Sequence, residues 1–230
     1  MNNSILLNEF NLSEEQLQQF FTYYNLLVTE NEKINLTSIT EMEDVYIKHF
    51  YDSLLLTKEV DMTKTKTMVD IGTGAGFPGI PIKIMCPHLS LTLVEPTTKR
   101  CVFLQKIIEL LELKDVKIIN DRAENYITDQ REIFDLATAR AVSALNILSE
   151  IVIPFVKKDG VFIAMKGSNY QEEVENATKA IKTLGGKIEK ITHYELPKEK
   201  GTRVFLTIKK VKNTPNIYPR QYAKIKKQPL

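Results

Sequence analysis

At 230 residues, with 43% hydrophobic and 26% charged residues and a net charge of +2, the chain has the composition of a soluble globular protein, long enough for one domain with a substantial core plus an extension. No apolar run reaches the roughly 18 residues of a membrane span, and Met1 to Phe10 lacks the basic start and apolar core of a signal peptide, so the chain reads as cytoplasmic. Cys86 and Cys101 form no C-x-x-C pair, and His49, His88 and His193 have no metal-ligand spacing, so no metal is expected.

Helices come first. Ser13-Glu14-Glu15-Gln16 has the spacing of a capping box, and Leu17, Phe20, Phe21, Tyr24, Leu27 and Val28 recur at helical intervals, predicting an amphipathic helix of about four turns. Asn31 to Thr40 is polar and turn-like. Thr40-Glu41-Met42-Glu43 repeats the capping signal ahead of a second helix that carries Val45, Ile47, Phe50, Tyr51, Leu54 and Leu55. Residues 1–60 therefore read as a helical cap, with His49, Asp52 and Ser53 placed to line the rim of a site.

The stretch Met68 to Gly79 reads as a strand, a tight glycine loop and the start of a helix. Glycine admits positive φ and a close ligand, and the helix that follows offers free N–H groups and the positive end of its dipole. Two registers fit. Gly74-Ala75-Gly76-Phe77-Pro78-Gly79 satisfies G-x-G-x-x-G, the pattern of an NAD-dependent oxidoreductase. Asp70-Ile71-Gly72-Thr73-Gly74-Ala75-Gly76 satisfies the acidic-x-G-x-G-x-G pattern of S-adenosylmethionine (AdoMet) methyltransferases. The second is preferred, because its first glycine directly follows the strand and Pro78 and Pro81 then fall in the first helical turn.

From residue 67 onward strands and helices alternate, as in a parallel sheet wrapped by helices. The chain ends differently. Ile188 to Leu196 and Val204 to Ile208 both read as strands, and Pro197 to Arg203 is too short for a parallel crossover, so they are antiparallel neighbours. The expected fold is α/β: a Rossmann-like, seven-stranded, mostly parallel sheet ending in an antiparallel hairpin, the class I AdoMet-dependent methyltransferase architecture, with an N-terminal helical extension. Residues 61–212 would form the AdoMet-binding domain. The helix after the fifth strand is expected to be capped by Ser168.

Candidate site residues follow from the strand ends, since ligands of open α/β sheets bind there. Glu95 closes the second strand, where a carboxylate accepts hydrogen bonds from ribose hydroxyls of either cofactor. Asp121-Arg122-Ala123-Glu124 follows the third strand, where backbone N–H at Ala123 and Glu124, or the Glu124 side chain, would read an adenine edge. Arg140 follows the fourth, among small apolar residues where an unpartnered guanidinium is costly. It would meet a methionine carboxylate, an RNA phosphate or O6 of a base; Lys166 is a weaker candidate at the same edge. The chain lacks Asn-Pro-Pro-Tyr and a Pro-Cys nucleophile, which disfavours attack by an amino nitrogen or a covalent intermediate. A ring nitrogen with a free lone pair, such as guanine N7, needs neither. Lys209, Lys210, Lys212, Arg220, Lys224, Lys226 and Lys227 make residues 213–230 and their approach a basic C-terminal tail, either a phosphate contact or a solvated end.

With the loop, Arg140 and the tail assembled, the chain resembles the bacterial small-subunit ribosomal RNA guanine-N7 methyltransferases, the glucose-inhibited division protein B family. The matching segments are Asn35 to Ile39, His49 to Leu54, Asp70 to Pro81, Asp121 to Glu124, Thr138-Ala139-Arg140-Ala141-Val142, and Asn213 to Arg220. The resemblance implies AdoMet binding at Gly72, Phe77, Ala123, Glu124 and Arg140, alongside Gly74, Gly76 and Glu95 from the loop and strand reading. It also implies methylation of guanine 527, in ribosomal numbering, of 16S ribosomal RNA, within the small ribosomal subunit. Two positions depart from the pattern: many members carry tryptophan where Glu30 stands and glycine where Ala223 aligns.

Overall fold

The computed structural model describes residues 3–140, 143–168 and 170–230. Ala141 and Val142 of the Ala-Arg-Ala-Val segment lie outside the described residues.

A short helix, α1 (Asn3–Leu7), precedes α2 (Glu14–Ile34). The capping box is formed: Ser13 Oγ accepts from the Gln16 N–H at 3.2 Å and Gln16 Oε1 accepts from the Ser13 N–H at 2.9 Å. The helix runs on through Asn31 to Lys33 and stops only where Asn35 takes the left-handed conformation at φ 47°. Polarity alone did not end it, because Glu30 is buried and paired with Lys33 and with Lys106, which ties α2 to a later helix.

The second helical stretch is broken rather than continuous. It comprises α3 (Met42–Val45), a π-helical turn (Tyr46–Tyr51), α4 (Asp52–Leu54) and a 3₁₀ turn (Leu55–Lys58). Glu41 occupies the N-cap and makes no side-chain cap, so Thr40 does not open the helix. The widened turn carries His49 and is followed at once by Asp52, both buried.

Seven strands form one sheet: β1 (Thr67–Ile71), β2 (Ser90–Val94), β3 (Val116–Ile119), β4 (Phe134–Arg140), β5 (Val156–Lys166), β6 (Gly186–Glu195) and β7 (Thr202–Lys210), in the order β3-β2-β1-β4-β5-β7-β6. The first five are parallel, and β7 inserts antiparallel between β5 and β6. The expected closing hairpin is therefore present.

Helices α5 (Gly79–Met85), α6 (Thr98–Leu110), α7 (Ala123–Tyr126), α8 (Leu145–Val152), α9 (Gln171–Thr183) and α10 (Tyr222–Lys227) complete the chain. Alternation along the strands divides the core in two. Met68, Leu93, Leu136, Ile163 and Phe205 pack with α2, the π turn, α5 and α6. Val69, Ala137, Phe162 and Leu206 pack with α8, α9 and Ile225 of α10. Cys86 and Cys101 are both buried thiols, with burial pushing Cys86 up to about 11.

Two local expectations are corrected. Tyr170, not Ser168, is the N-cap of α9, and it makes no side-chain cap; Ser168 is exposed. In the basic end, Lys210 and Arg220 are not solvated. The Lys210 ammonium is buried 2.8 Å from Glu132 Oε1 and donates to Thr214 Oγ1, while the Arg220 Nε and Nη2 donate to the buried Glu150 at 2.7 and 2.6 Å. Lys212, Lys224, Lys226 and Lys227 remain exposed.

Candidate active site

Parallel strands bring their carboxyl ends to one edge, so the segments after β1, β2, β3, β4 and β5 meet there regardless of their separation in sequence. The order reverses between β1 and β4, and that switch point opens a crevice.

The loop after β1 is held from below by Asp70. Its Oδ2 accepts from Thr73 Oγ1 at 2.6 Å and from the Gly79 N–H at 2.9 Å, and burial pushes its carboxyl up to about 6 against these bonds. Gly74, at φ 61°, would direct a Cβ into open space, the side on which a ligand can approach. Gly76, at φ 99°, is needed for packing: a Cβ there would stand 2.6 Å from Ile80 Cδ1 and 2.7 Å from Tyr23 Oη. The Gly72 N–H donates to the Val94 carbonyl at 2.8 Å, fastening the loop to β2.

Glu95 is buried at the end of β2 and bridges the loop and the next helix. Its Oε2 accepts from the Gly74 N–H at 3.0 Å and its Oε1 from the Thr97 N–H at 2.9 Å. A carboxylate keeps further lone pairs beside these bonds, so ribose hydroxyls can still donate to it. Ala123 and Glu124 open α7 on the far side of β2, with no side-chain cap on their backbone N–H groups. Gly72, Gly74, Gly76, Glu95, Ala123 and Glu124 thus form one ledge over β1, β2 and β3.

Phe77 joins this ledge to the rest of the site. Its ring is buried and stacks on Tyr23 at 5.3 Å and on His49 at 4.5 Å, and the Arg140 guanidinium lies 5.0 Å from its centre. Arg140 Nη1 donates to Asp52 Oδ2 at 3.0 Å and to the Lys48 carbonyl at 3.2 Å. Arg203 of β7 pairs with the other Asp52 oxygen at 3.1 Å. One buried carboxylate from the N-terminal helices therefore fixes two guanidinium groups from the sheet. His49 contacts Thr37 Oγ1 through Nε2 at 2.8 Å, and burial together with the Arg140 charge pushes its imidazole down to about 3.

A cleft of about 730 Å³ opens beside this array, between the π turn and the ends of β4 and β5. Lys48, Asp52, Arg140, Lys166, Glu173 and Arg203 supply its charges. Of the residues expected to bind the cofactor, Arg140 lines this cleft. Asp52 and His49 were legible as rim candidates, and Lys166 as a weaker one. Lys48, Glu173 and Arg203 were not: Arg203 begins an ordinary apolar strand, and nothing local shows that β7 pairs with β5 and so delivers it to this edge.

The dinucleotide reading is not supported: β7 is antiparallel where that fold requires another crossover. Among the described residues no group of His, Cys, Asp and Glu is arranged to hold a metal ion, and no helix is long and apolar enough to cross a membrane.

A family model described as GidB, rRNA small subunit methyltransferase G, matches residues 16–202. The chain is 48% identical over 221 residues to the ribosomal RNA small subunit methyltransferase G of Bacillus subtilis (strain 168), covering 95% of this chain and 92% of that protein. It is 50% identical over 220 residues to the protein of the same name from Staphylococcus saprophyticus, with coverage of 95% and 92%. Among solved structures, a variant of the 16S rRNA (adenine(1408)-N(1))-methyltransferase from Catenulisporales acidiphilia with its cosubstrate SAM aligns with a TM-score of 0.53 at 11% identity, over 67% of this chain and 89% of that one. The TYW2 protein of M. jannaschii in complex with AdoMet aligns with a TM-score of 0.53 at 17% identity, over 70% and 77%. Those two likenesses are of fold.

Proposed function

The chain belongs to the rRNA small subunit methyltransferase G family and is an AdoMet-dependent rRNA methyltransferase, and we propose that it methylates N7 of a guanine, of the guanine 527 type, in 16S ribosomal RNA. The observation that carries the choice of atom is the chemistry of the cleft wall. Its imidazole, His49, is weakened as a base by burial and the Arg140 charge, neither cysteine lines the cleft, and its two carboxylates are engaged with Arg140 and Lys166. Such a wall suits an acceptor with its own lone pair, which needs alignment rather than activation.

The residues present fit AdoMet. The open space over Gly74 and the buried Glu95 carboxylate beside it match a nucleoside with a diol. In this reading Gly72, Gly74, Gly76 and Phe77 shape the loop, Glu95 accepts from the ribose hydroxyls, and Ala123 and Glu124 meet the adenine. Arg140 Nη2 meets His49 Nδ1 at 3.3 Å, which leaves its second N–H and the Nε N–H for a carboxylate or for the base. When bound, AdoMet supplies an electrophilic sulfonium methyl group. Stacked Phe77 and His49 wall off the methyl side of the cleft, and the cations around it hold the RNA. Residues 1–60 serve as the cap that positions Asp52, residues 61–212 as the AdoMet-binding domain, and residues 213–230 as the basic tail. The substrate would be met within the small ribosomal subunit, in the cytoplasm.

Tritium transfer from labelled AdoMet to small subunits lacking the modification tests this reading. Label on a guanine that becomes cleavable by borohydride and aniline supports N7. Label on a base resistant to that treatment refutes it.

A further inference from the structure

Guanine differs from adenine by the donors on its Watson–Crick edge, N1–H and the N2 amino group, so a site that selects it needs an acceptor there. Two carboxylates line the cleft. Asp52 is out of reach of a base: Oδ2 accepts from Arg140, and Oδ1, 3.1 Å from Arg203 Nε but without a hydrogen bond to it, is enclosed by protein. Glu173 is half spent. Its Oε2 accepts from the Leu145 N–H at 2.8 Å, capping α8, and from Lys166 Nζ at 2.7 Å, while Oε1 has no partner among the described residues. Two bonds to one oxygen fix the carboxyl plane, and the side chain stays about one-third exposed on the cleft side. Lys166 is itself anchored on the Ser143 carbonyl at 2.7 Å, so the carboxylate is held from both neighbours. We propose that Glu173 Oε1 is the specificity-determining acceptor for the N2 amino group of the target guanine.

This rests on the guanine reading above and adds a residue to it. The orientation it implies puts N7 on the edge of the base away from Glu173.

The test pairs Glu173→Gln with a change in the base. The amide keeps one oxygen for Leu145 and Lys166 and turns an NH₂ group toward the base, removing the free acceptor together with the charge that pairs Lys166; the change of base isolates the first effect. Methyl transfer is measured on small subunits reconstituted with guanosine or with inosine, which lacks the N2 amino group, at the target position. For the unsubstituted enzyme, inosine should lower kcat/KM by about 10- to 100-fold. Glu173→Gln should lose a similar factor on guanosine and little or nothing further on inosine. AdoMet affinity should match the parent. An equal loss on both bases, or full activity on guanosine, would overturn the proposal and return Glu173 to a capping role. Should the parent enzyme label no guanine N7, the functional reading fails with it; should it label guanosine and inosine equally, only the role of Glu173 fails.

Discussion

Arg140 Nη1 lies 3.0 Å from Asp52 Oδ2, a contact between residues 88 positions apart that joins the end of β4 to the helices preceding the sheet. It shows why an arginine tolerates small apolar neighbours on the strand: its counter-charge comes from elsewhere in the chain. Because Arg203 shares the same carboxylate, Asp52 sets the geometry of both guanidinium groups at the cleft.

Asp52→Asn should therefore disorder both. We expect a loss of stability of roughly 3 kcal/mol, the lower end for a broken buried pair because both arginines retain some solvent contact. Methyl transfer should fall at least tenfold even at temperatures where the variant is folded. Thermal unfolding and initial rates measured on one preparation separate the two effects, and parental rates in the folded variant would show that the pair is only structural.

The two central loop glycines should respond differently. Gly76→Ala places a methyl group against Ile80 and Tyr23 at an unfavourable φ, which should cost about 1–3 kcal/mol. Gly74→Ala meets no protein atom, so it should cost only about 1 kcal/mol for its left-handed backbone while blocking the open side of the loop. Denaturant unfolding alongside AdoMet calorimetry distinguishes them. A Gly74→Ala variant that binds AdoMet normally would remove this side of the loop from the cofactor site.

Burial gives stability a pH dependence of opposite sign at two groups. His49 titrates near 3 when folded and near 6.5 when unfolded, so between those values the unfolded chain binds more protons and stability falls as pH drops below about 6.5. Asp70 titrates near 6 when folded and near 4 when unfolded, so its contribution falls as pH rises from about 4 to 6. The two oppose each other in the shared range. His49→Gln should therefore leave the Asp70 slope exposed, with stability decreasing toward pH 6, as urea midpoints at closely spaced pH values would show. An unchanged profile in the variant would mean that His49 is protonated in the folded protein.

The C-terminal segment combines an anchor with a charged face. Arg220→Ala would leave the Glu150 carboxylate buried without its partner and should cost about 3–5 kcal/mol. Replacing exposed Lys224, Lys226 and Lys227 by alanine should change stability by less than about 0.5 kcal/mol. If the face meets RNA phosphate, the same triple replacement should lower the log-log salt slope of RNA binding by about 2. An unaltered slope assigns the segment to stability alone.

The glycine loop, the alternation of strands and helices and the closing hairpin were all legible in the chain, because each rests on neighbours in sequence: hydrophobic period, glycine and proline placement, and a connection too short to cross over. Ser13 and Gln16 could be read as a cap for the same reason, since four consecutive residues contain both partners. Local pattern failed where a partner lay far along the chain. Asn31 to Lys33 looked like a turn because the pairing of Glu30 with Lys106 was invisible, and Lys210 and Arg220 were grouped with a basic tail, for phosphate or for solvent, because Glu132 and Glu150 are many residues earlier. The chain alone thus determined the fold class and the glycine loop after β1. The charged cleft, in which Asp52, Arg140, Glu173 and Arg203 come from two helices and two strands, was decided only when the parallel sheet brought its strand ends to one edge and burial forced charges to find counter-charges there.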